Sequence, residues 1–218
     1  MEGTVNFAEM REKLYSAVIV DVLDTLGYRN QAMRGDIRPL DQRDIVVGRA
    51  FTVLATDVYE IPAHPYKMEL EACDHLKKDD VLVATTNGST ASGFWGELLS
   101  TVCMVRGANG AIIDGPTRDT RKIRSMDFTV FARGMNPLDS KGRTDVIAYD
   151  VPILCGGVQV KTGDIIFGDY DGIAVIPQEV EEEALKMAFE KVSAENVVRD
   201  EVLRGVSATE VYEKYHIL

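Results

Sequence analysis

Three cysteines, three histidines, one tryptophan and no long apolar run set the first limits on this sequence. Cys73, Cys103 and Cys155 lie far apart and form no C-x-x-C pair. That excludes a disulfide framework and a zinc knuckle, and predicts buried, reduced thiols packed as small apolar side chains. His64, His75 and His216 are too scattered for a metal set, so surface or packing roles are expected. "RGANGA" lacks the G-x-G-x-x-G spacing and its ribose-binding acid, and neither a P-loop nor a G-x-S-x-G elbow occurs. No apolar stretch approaches the roughly 18–20 residues of a membrane span, and the opening "MEGTVNFAEM" has no leader pattern. A cytoplasmic protein with no membrane partner is expected. Positive charge is also scarce: 24 Lys and Arg against 35 Asp and Glu give a net charge of -11, so nucleic acid is not an expected partner. With no repeat and no linker, residues 1–218 are expected to form a single domain.

What is present alternates between two periodicities. Apolar residues at helical spacing predict one amphipathic helix from Phe7 to Gly27, another within "PYKMELEACDHL", a third from Gly96 to Arg106 and a long charged one from Gln178 to Val206. Strands are expected at Ile45 to Thr56, Asp80 to Gly88, "GAIIDG", "TVFARG", and twice in "GDIIFGDYDGIAVIP" around an acidic turn. "RGMNPLDSKGRTDVIAYDVPI" reads as one long irregular stretch: a lid, an oligomer contact or a surface loop. The class is α/β.

One charged constellation stands out. Glu97 precedes the Arg118-Asp119 pair by a spacer of 20 residues. A helix from Gly96, a turn and the "AIID" strand reverse the chain, so the pair can return to the start of that helix. There the free N–H groups of Gly96, Glu97, Leu98 and Leu99 favour an anion, and Arg118 could grip the same carboxylate with its planar fork. Asp119 and Glu97 are hard oxygen ligands suited to Mg²⁺ or Mn²⁺. A 2-oxo acid held this way could have an enolate stabilised and a neighbouring carbon–carbon bond broken. The plainer reading of these residue types is a capping Asp119, a surface-paired Arg118 and a first-turn acid Glu97, and by type and spacing alone it is the commoner one.

"GELLSTVCMVRGANGAIIDGPTRDTRKI" followed by "VFARGMNP" resembles the family of the 4-hydroxy-4-methyl-2-oxoglutarate aldolases and the ribonuclease E regulator RraA. The likeness extends to "VIVDVLDTLG", "GDIIFGDYDGIAVIP" and "AENVVRDEVLRGVSATEVYEKYHIL", nearly the whole chain. It implies a three-layer β/β/α swivelling-domain fold with N- and C-terminal helices, and a homo-oligomer, a trimer or a dimer of trimers, with sites between subunits. It also implies that Gly96, Glu97, Leu98, Leu99 and Arg118 hold the 2-oxo acid. Asp119 would bind Mg²⁺ or Mn²⁺ directly and Glu97 through water, with Glu195 of a neighbouring subunit near the metal. Two residues depart from the aldolase pattern: Glu97 stands where aspartate is usual, and Lys122 where an acid is usual. Asp21 and Asp171 are candidates for the site's edge, with capping or turn roles the better fit. Trp95 is either core or a pocket wall.

The expectation is a metal-dependent class II pyruvate aldolase, a lyase cleaving a 4-hydroxy-2-oxo acid, with oxaloacetate decarboxylation as a related activity. The alternatives are a non-catalytic regulator that binds a ribonuclease or helicase, and a sugar-acid enzyme using the same metal site.

Overall fold

The computed structural model describes residues 5–217. Residues 1–4 and 218, which carry part of the opening read for a leader and the end of the C-terminal likeness, lie outside the described residues. Two helices, α1 (Phe7–Lys13) and α2 (Ser16–Thr25), replace the single helix expected over Phe7 to Gly27. The break has a cause distant in sequence. Asp169 accepts hydrogen bonds from the Ser16 amide at 2.7 Å and the Ser16 hydroxyl at 2.6 Å, so a carboxylate from another element satisfies the first turn of α2. Tyr15 is extended at this junction, and its hydroxyl donates to Glu195. Gly27, at φ +88°, follows the end of α2 in the left-handed conformation that glycine tolerates.

The remaining elements are β1 (Arg38–Pro39), β2 (Val46–Asp57), α3 (Lys67–Asp74), β3 (Asp80–Thr85), α4 (Glu97–Arg106), β4 (Gly110–Thr117), α5 (Thr120–Ile123), β5 (Thr129–Met135), β6 (Thr144–Tyr149), β7 (Ile153–Cys155), β8 (Val158–Val160), β9 (Ile165–Gly168), β10 (Ile173–Ile176), α6 (Glu181–Leu203) and α7 (Ala208–Tyr215). The irregular stretch after Arg133 therefore contains β6, which pairs antiparallel with the distant β2. The last long helix begins as a 3-10 turn at Gln178–Val180, ends at Leu203 rather than Val206, and is followed by α7, which Ser207 starts with a capping box.

Among the described residues the main sheet runs β1-β5-β4-β3-β2-β9-β10, with β6 beside the second half of β2. β2, β3, β4 and β5 are parallel, while β1, β6, β9 and β10 pair antiparallel. Alternation along each strand divides the core. In β3, Val81 and Val83 pack under the β7–β8 hairpin, whereas Leu82 and Ala84 face α3 and α4. β4 and β5 repeat this with Ile112 and Phe131 on the hairpin side. Strands buried on both faces read as unbroken apolar runs, which is why these were the plainest elements in the sequence. Val47, Ile165 and Phe167 face α1, α2 and α6. The layers are hairpin, sheet and helices, the three-layer β/β/α arrangement with helices at both ends of the chain. Each fully buried Ile or Phe contributes about 1.5–3 kcal/mol through removal from water.

Candidate active site

The turn before α4 is stitched to the end of β4. Trp95 bridges to Thr117 in parallel, the Arg118 amide donates to the Trp95 carbonyl at 2.8 Å, and the Thr117 hydroxyl donates to the same oxygen at 2.9 Å. The Trp95 indole donates to Ser100 Oγ at 2.9 Å, and Ser100 in turn donates to the Gly96 carbonyl at 3.0 Å. Trp95 is buried in the core beneath this turn, so the packing alternative holds and the pocket-wall alternative does not.

These bonds bring Arg118-Asp119 back to the start of α4. Asp119 has φ +57°, a left-handed conformation that aspartate enters more readily than most residues. Although it occupies the N-cap position of α5, its side chain makes no capping bond there. Instead its Oδ2 accepts the Glu97 amide at 3.2 Å. Gly96 makes room for this carboxylate: a Cβ added at Gly96 would lie 2.8 Å from Asp119 Oδ2 and 3.4 Å from Arg118 Cγ. The Arg118 guanidinium sits between two acids, 3.8 Å from Asp119 Oδ2 and 3.2 Å from Asp139 Oδ1. Tyr66 donates to the other oxygen of Asp139 at 2.5 Å, which fixes the carboxylate that holds Arg118. Burial, followed by that bond, pushes the Tyr66 hydroxyl up to about 12.

The two departures from the aldolase pattern meet each other. Lys122 Nζ lies 3.8 Å from Glu97 Oε2, and Thr101 donates to Glu97 Oε1 at 3.3 Å. The longer acid thus reaches the lysine that replaces an acid.

A cavity of about 270 Å³ opens against this cluster, walled by Gly96, Leu98, Leu99, Arg118 and Asp119 of the expected residues, with Tyr66, Glu69, Leu70, Phe94, Asp139 and Ser140. Glu97 contributes its amide beside the cavity, but its side chain is not part of the wall. Within the same chain Glu195 lies elsewhere, bonded to Tyr15 against the N-terminal helices. Asp21 pairs with Lys191 at 2.5 Å, and Asp171 sits in the β9–β10 turn, its amide donating to Asp169 at 3.0 Å. Neither reaches the cavity. A larger hollow of about 870 Å³ near β1 has its Arg38 bonded to the carbonyls of Tyr170 and Asp171 and its Arg43 and Arg124 beside Asp41. Its arginines are already engaged, Arg38 by backbone carbonyls and Arg43 and Arg124 by the one Asp41 they share, so the smaller cavity is the better site.

Tyr66, Glu69 and Asp139 were not singled out from the sequence. Glu69 did leave a signal, because it interrupts the apolar stripe of α3 formed with Ala72, Cys73 and Leu76. It is 6% exposed. Burial first, then the nearby Asp145 and Asp139 carboxylates, push its carboxyl up to about 8, with Arg118 opposing. Asp139 lay in the stretch read as irregular and had no comparable signal.

For a metal, the donor set is selective. Among the described residues no three His, Cys, Asp or Glu side chains converge into a cage, so a closed zinc-type site does not fit. A hydrated Mg²⁺ or Mn²⁺ would make a smaller demand, since such ions are held by one or two carboxylates and retain waters. Asp119 and, through water, Glu97 are the groups that would hold it.

Fold and cluster together define a class: an α/β domain that gathers an arginine, an aspartate and a helix start at the C-terminal end of a parallel strand. The sequence model of the RraA-like family, described as aldolase/RraA, matches residues 16–175, and the chain belongs to that family. It is 30% identical over 211 residues to a Halalkalibacterium halodurans protein named "Putative 4-hydroxy-4-methyl-2-oxoglutarate aldolase", covering 97% of this chain and 95% of the relative. Among solved structures, a Streptomyces coelicolor member of the RNase ES inhibitor RraA family superposes with a TM-score of 0.77 at 26% identity, covering 90% of this chain and 98% of that one. A protein from gut-associated microbes, described as a cellulase, superposes at 0.83 with 30% identity, covering 90% of this chain and 89% of the other.

Proposed function

We propose that this protein is a divalent-metal-dependent lyase that cleaves a 4-hydroxy-2-oxo acid to pyruvate, with oxaloacetate decarboxylation as a side activity. The observation that carries this reading is the convergence of Arg118, Asp119 and the start of α4 on one cavity wall. Arg118 binds the substrate carboxylate with its fork, assisted by the amides of Leu98 and Leu99. Asp139 and Tyr66 hold the guanidinium in place. Asp119, with Glu97 through water, would hold Mg²⁺ or Mn²⁺. When bound, that ion supplies electrophilic stabilisation of the negative charge that develops on the 2-oxo group.

In the cleavage the 4-hydroxyl loses its proton to water positioned by Glu97, the C3–C4 bond breaks, and C4 becomes a carbonyl. The bonding pair remains on C3 as the enolate, which takes up a proton to give pyruvate. In a trimer or hexamer, Glu195 of a neighbouring subunit would lie near the metal.

Pyruvate release, coupled to lactate dehydrogenase, tests this reading with Mg²⁺, with Mn²⁺ and with chelator. Arg118→Ala should lower kcat/KM at least a hundredfold. Loss of activity in Arg118→Ala but not in Glu97→Ala would refute the division of labour. Likeness to the RNase ES inhibitor family and the net charge of -11 favour a second reading, a regulator that contacts an RNA-processing enzyme through its acidic surface. Salt-sensitive capture of such an enzyme, with no turnover of 2-oxo acids, would support it.

A further inference from the structure

The cavity wall has two chemically distinct parts. Arg118 lies by Asp119 and Asp139, Tyr66 donates to Asp139, and Glu69 has Asp145, Asp139 and Arg118 around it, so these groups form one connected polar set. The second part consists of Leu70, Phe94, Leu98 and Leu99. The packing of α3 against α4 brings these residues together. Near the later ends of the two helices Cys73 Sγ lies 3.8 Å from Cys103 Sγ, and Arg106 pairs with Asp74. One turn earlier on the same faces come Leu70 of α3 and Leu99 of α4. Leu99 packs on the core cluster that contains Phe94, and Leu98 precedes it at the start of α4.

This apolar part is only half covered. Leu98 is 73% exposed and Leu70 49% exposed, although both belong to the wall. Hydrocarbon laid against them strengthens binding about fourfold for each methylene removed from water. A hydroxyl or carboxylate in the same place loses water and gains no polar partner from the leucine side chains. A divalent ion held at Asp119 would strengthen the polar part for the 2-oxo acid and leave the leucines as they are. The volume of about 270 Å³ lies just below the roughly 300–1,000 Å³ of sites for drug-sized ligands, so the chain carried beyond C4 is short.

We propose that the C4 substituent of the substrate is a short alkyl chain packed on Leu70, Leu98, Leu99 and Phe94, which makes the substrate a monocarboxylic 4-hydroxy-2-oxoalkanoate. The C4 fragment then leaves as an aliphatic aldehyde beside pyruvate. The inference rests on the 2-oxo-acid reading of the Arg118 cluster. It makes the side chains of Leu70 and Leu98 determinants of specificity.

Three substrates with C4 substituents of similar size isolate the tail: 4-hydroxy-2-oxohexanoate with an ethyl group, 4,5-dihydroxy-2-oxopentanoate with a hydroxymethyl group, and 4-hydroxy-2-oxoglutarate with a carboxylate. Compared by Mg²⁺-dependent pyruvate release, kcat/KM should favour the ethyl compound at least tenfold over each of the others. In Leu70→Gln, and separately in Leu98→Gln, that preference should fall at least threefold; glutamine keeps the helix propensity of these exposed positions, so folding is preserved. Light scattering on the same samples follows the assembly. Equal rates, a preference for either polar tail, or a ratio unmoved in both variants overturns the inference. A ratio that falls only where the assembly dissociates makes the leucines a subunit contact and overturns it too. Exchange of the pyruvate methyl protons in D₂O, which involves no tail, separates the two levels. Exchange without the ethyl preference sinks the tail assignment alone, whereas no exchange with Mg²⁺ or Mn²⁺ overturns the parent reading and the inference with it.

Discussion

Replacing Glu69 by glutamine is expected to flatten the pH dependence of folding stability. The folded protein lifts this carboxyl from its ordinary 4.5 to about 8, so between those values the native state binds a proton that the unfolded chain releases. Stability must therefore fall as pH rises through this window, and the loss is complete above the folded value. At ~1.4 kcal/mol for each tenfold change in proton affinity, the gap sets a ceiling of about 5 kcal/mol. Water entering the cavity on ionisation reduces this, and a difference of roughly 2–3 kcal/mol between about pH 5 and pH 8.5 is expected. The groups facing Glu69 are Asp145 from β6, Asp139 and Arg118, with the acids opposing its ionisation and the arginine favouring it. Urea denaturation of the wild type and Glu69→Gln at both pH values isolates the contribution, because other titrations are shared and cancel in the difference. Parallel stability curves would show that the folded protein does not lift the Glu69 carboxyl above its ordinary range and would refute the reasoning.

Gly96→Ala places a methyl group 2.8 Å from Asp119 Oδ2, and should lower kcat/KM by about a hundredfold through displaced carboxylate geometry; a change under threefold would show that the cluster absorbs the methyl group. Asp119→Asn should unfold within about 1 kcal/mol of the wild type while losing Mg²⁺-dependent turnover, measured by urea melts and pyruvate release, because asparagine also accepts the left-handed backbone. All three thiols are buried, and the Cys103 thiol is pushed up by its neighbour Cys73, 3.8 Å away, and by burial. Iodoacetamide at about pH 8 should accordingly leave the native protein unlabelled and modify every cysteine after unfolding, as read by mass spectrometry.

The parallel half of the sheet was open to sequence reading because its strands are buried on both faces and its helices keep their periodicity. Glu97, Arg118 and Asp119 were also legible: the helix and strand between them are regular enough that their spacing implies a return. The break at Tyr15 was not, since it depends on Asp169, more than 150 positions along the chain. β6 escaped for a similar reason, as its half-buried residues are organised by β2 and carry little local pattern. Glu69 was readable in principle as an acid inside an apolar stripe, but Asp139 was not, because only the folded position of its loop brings it to Arg118.

The left-handed turn at Asp119 also bears on how such a scaffold diversifies. Its backbone shape admits asparagine and glycine as well as aspartate, and each is one nucleotide change away from some aspartate codon. A lineage can thus discard the charge at this corner with little threat to folding, and the altered protein persists long enough to be recruited for another task. Under the proposed reading, gene copies bearing neutral residues at this corner are the natural place to look for descendants that kept the architecture and abandoned the chemistry.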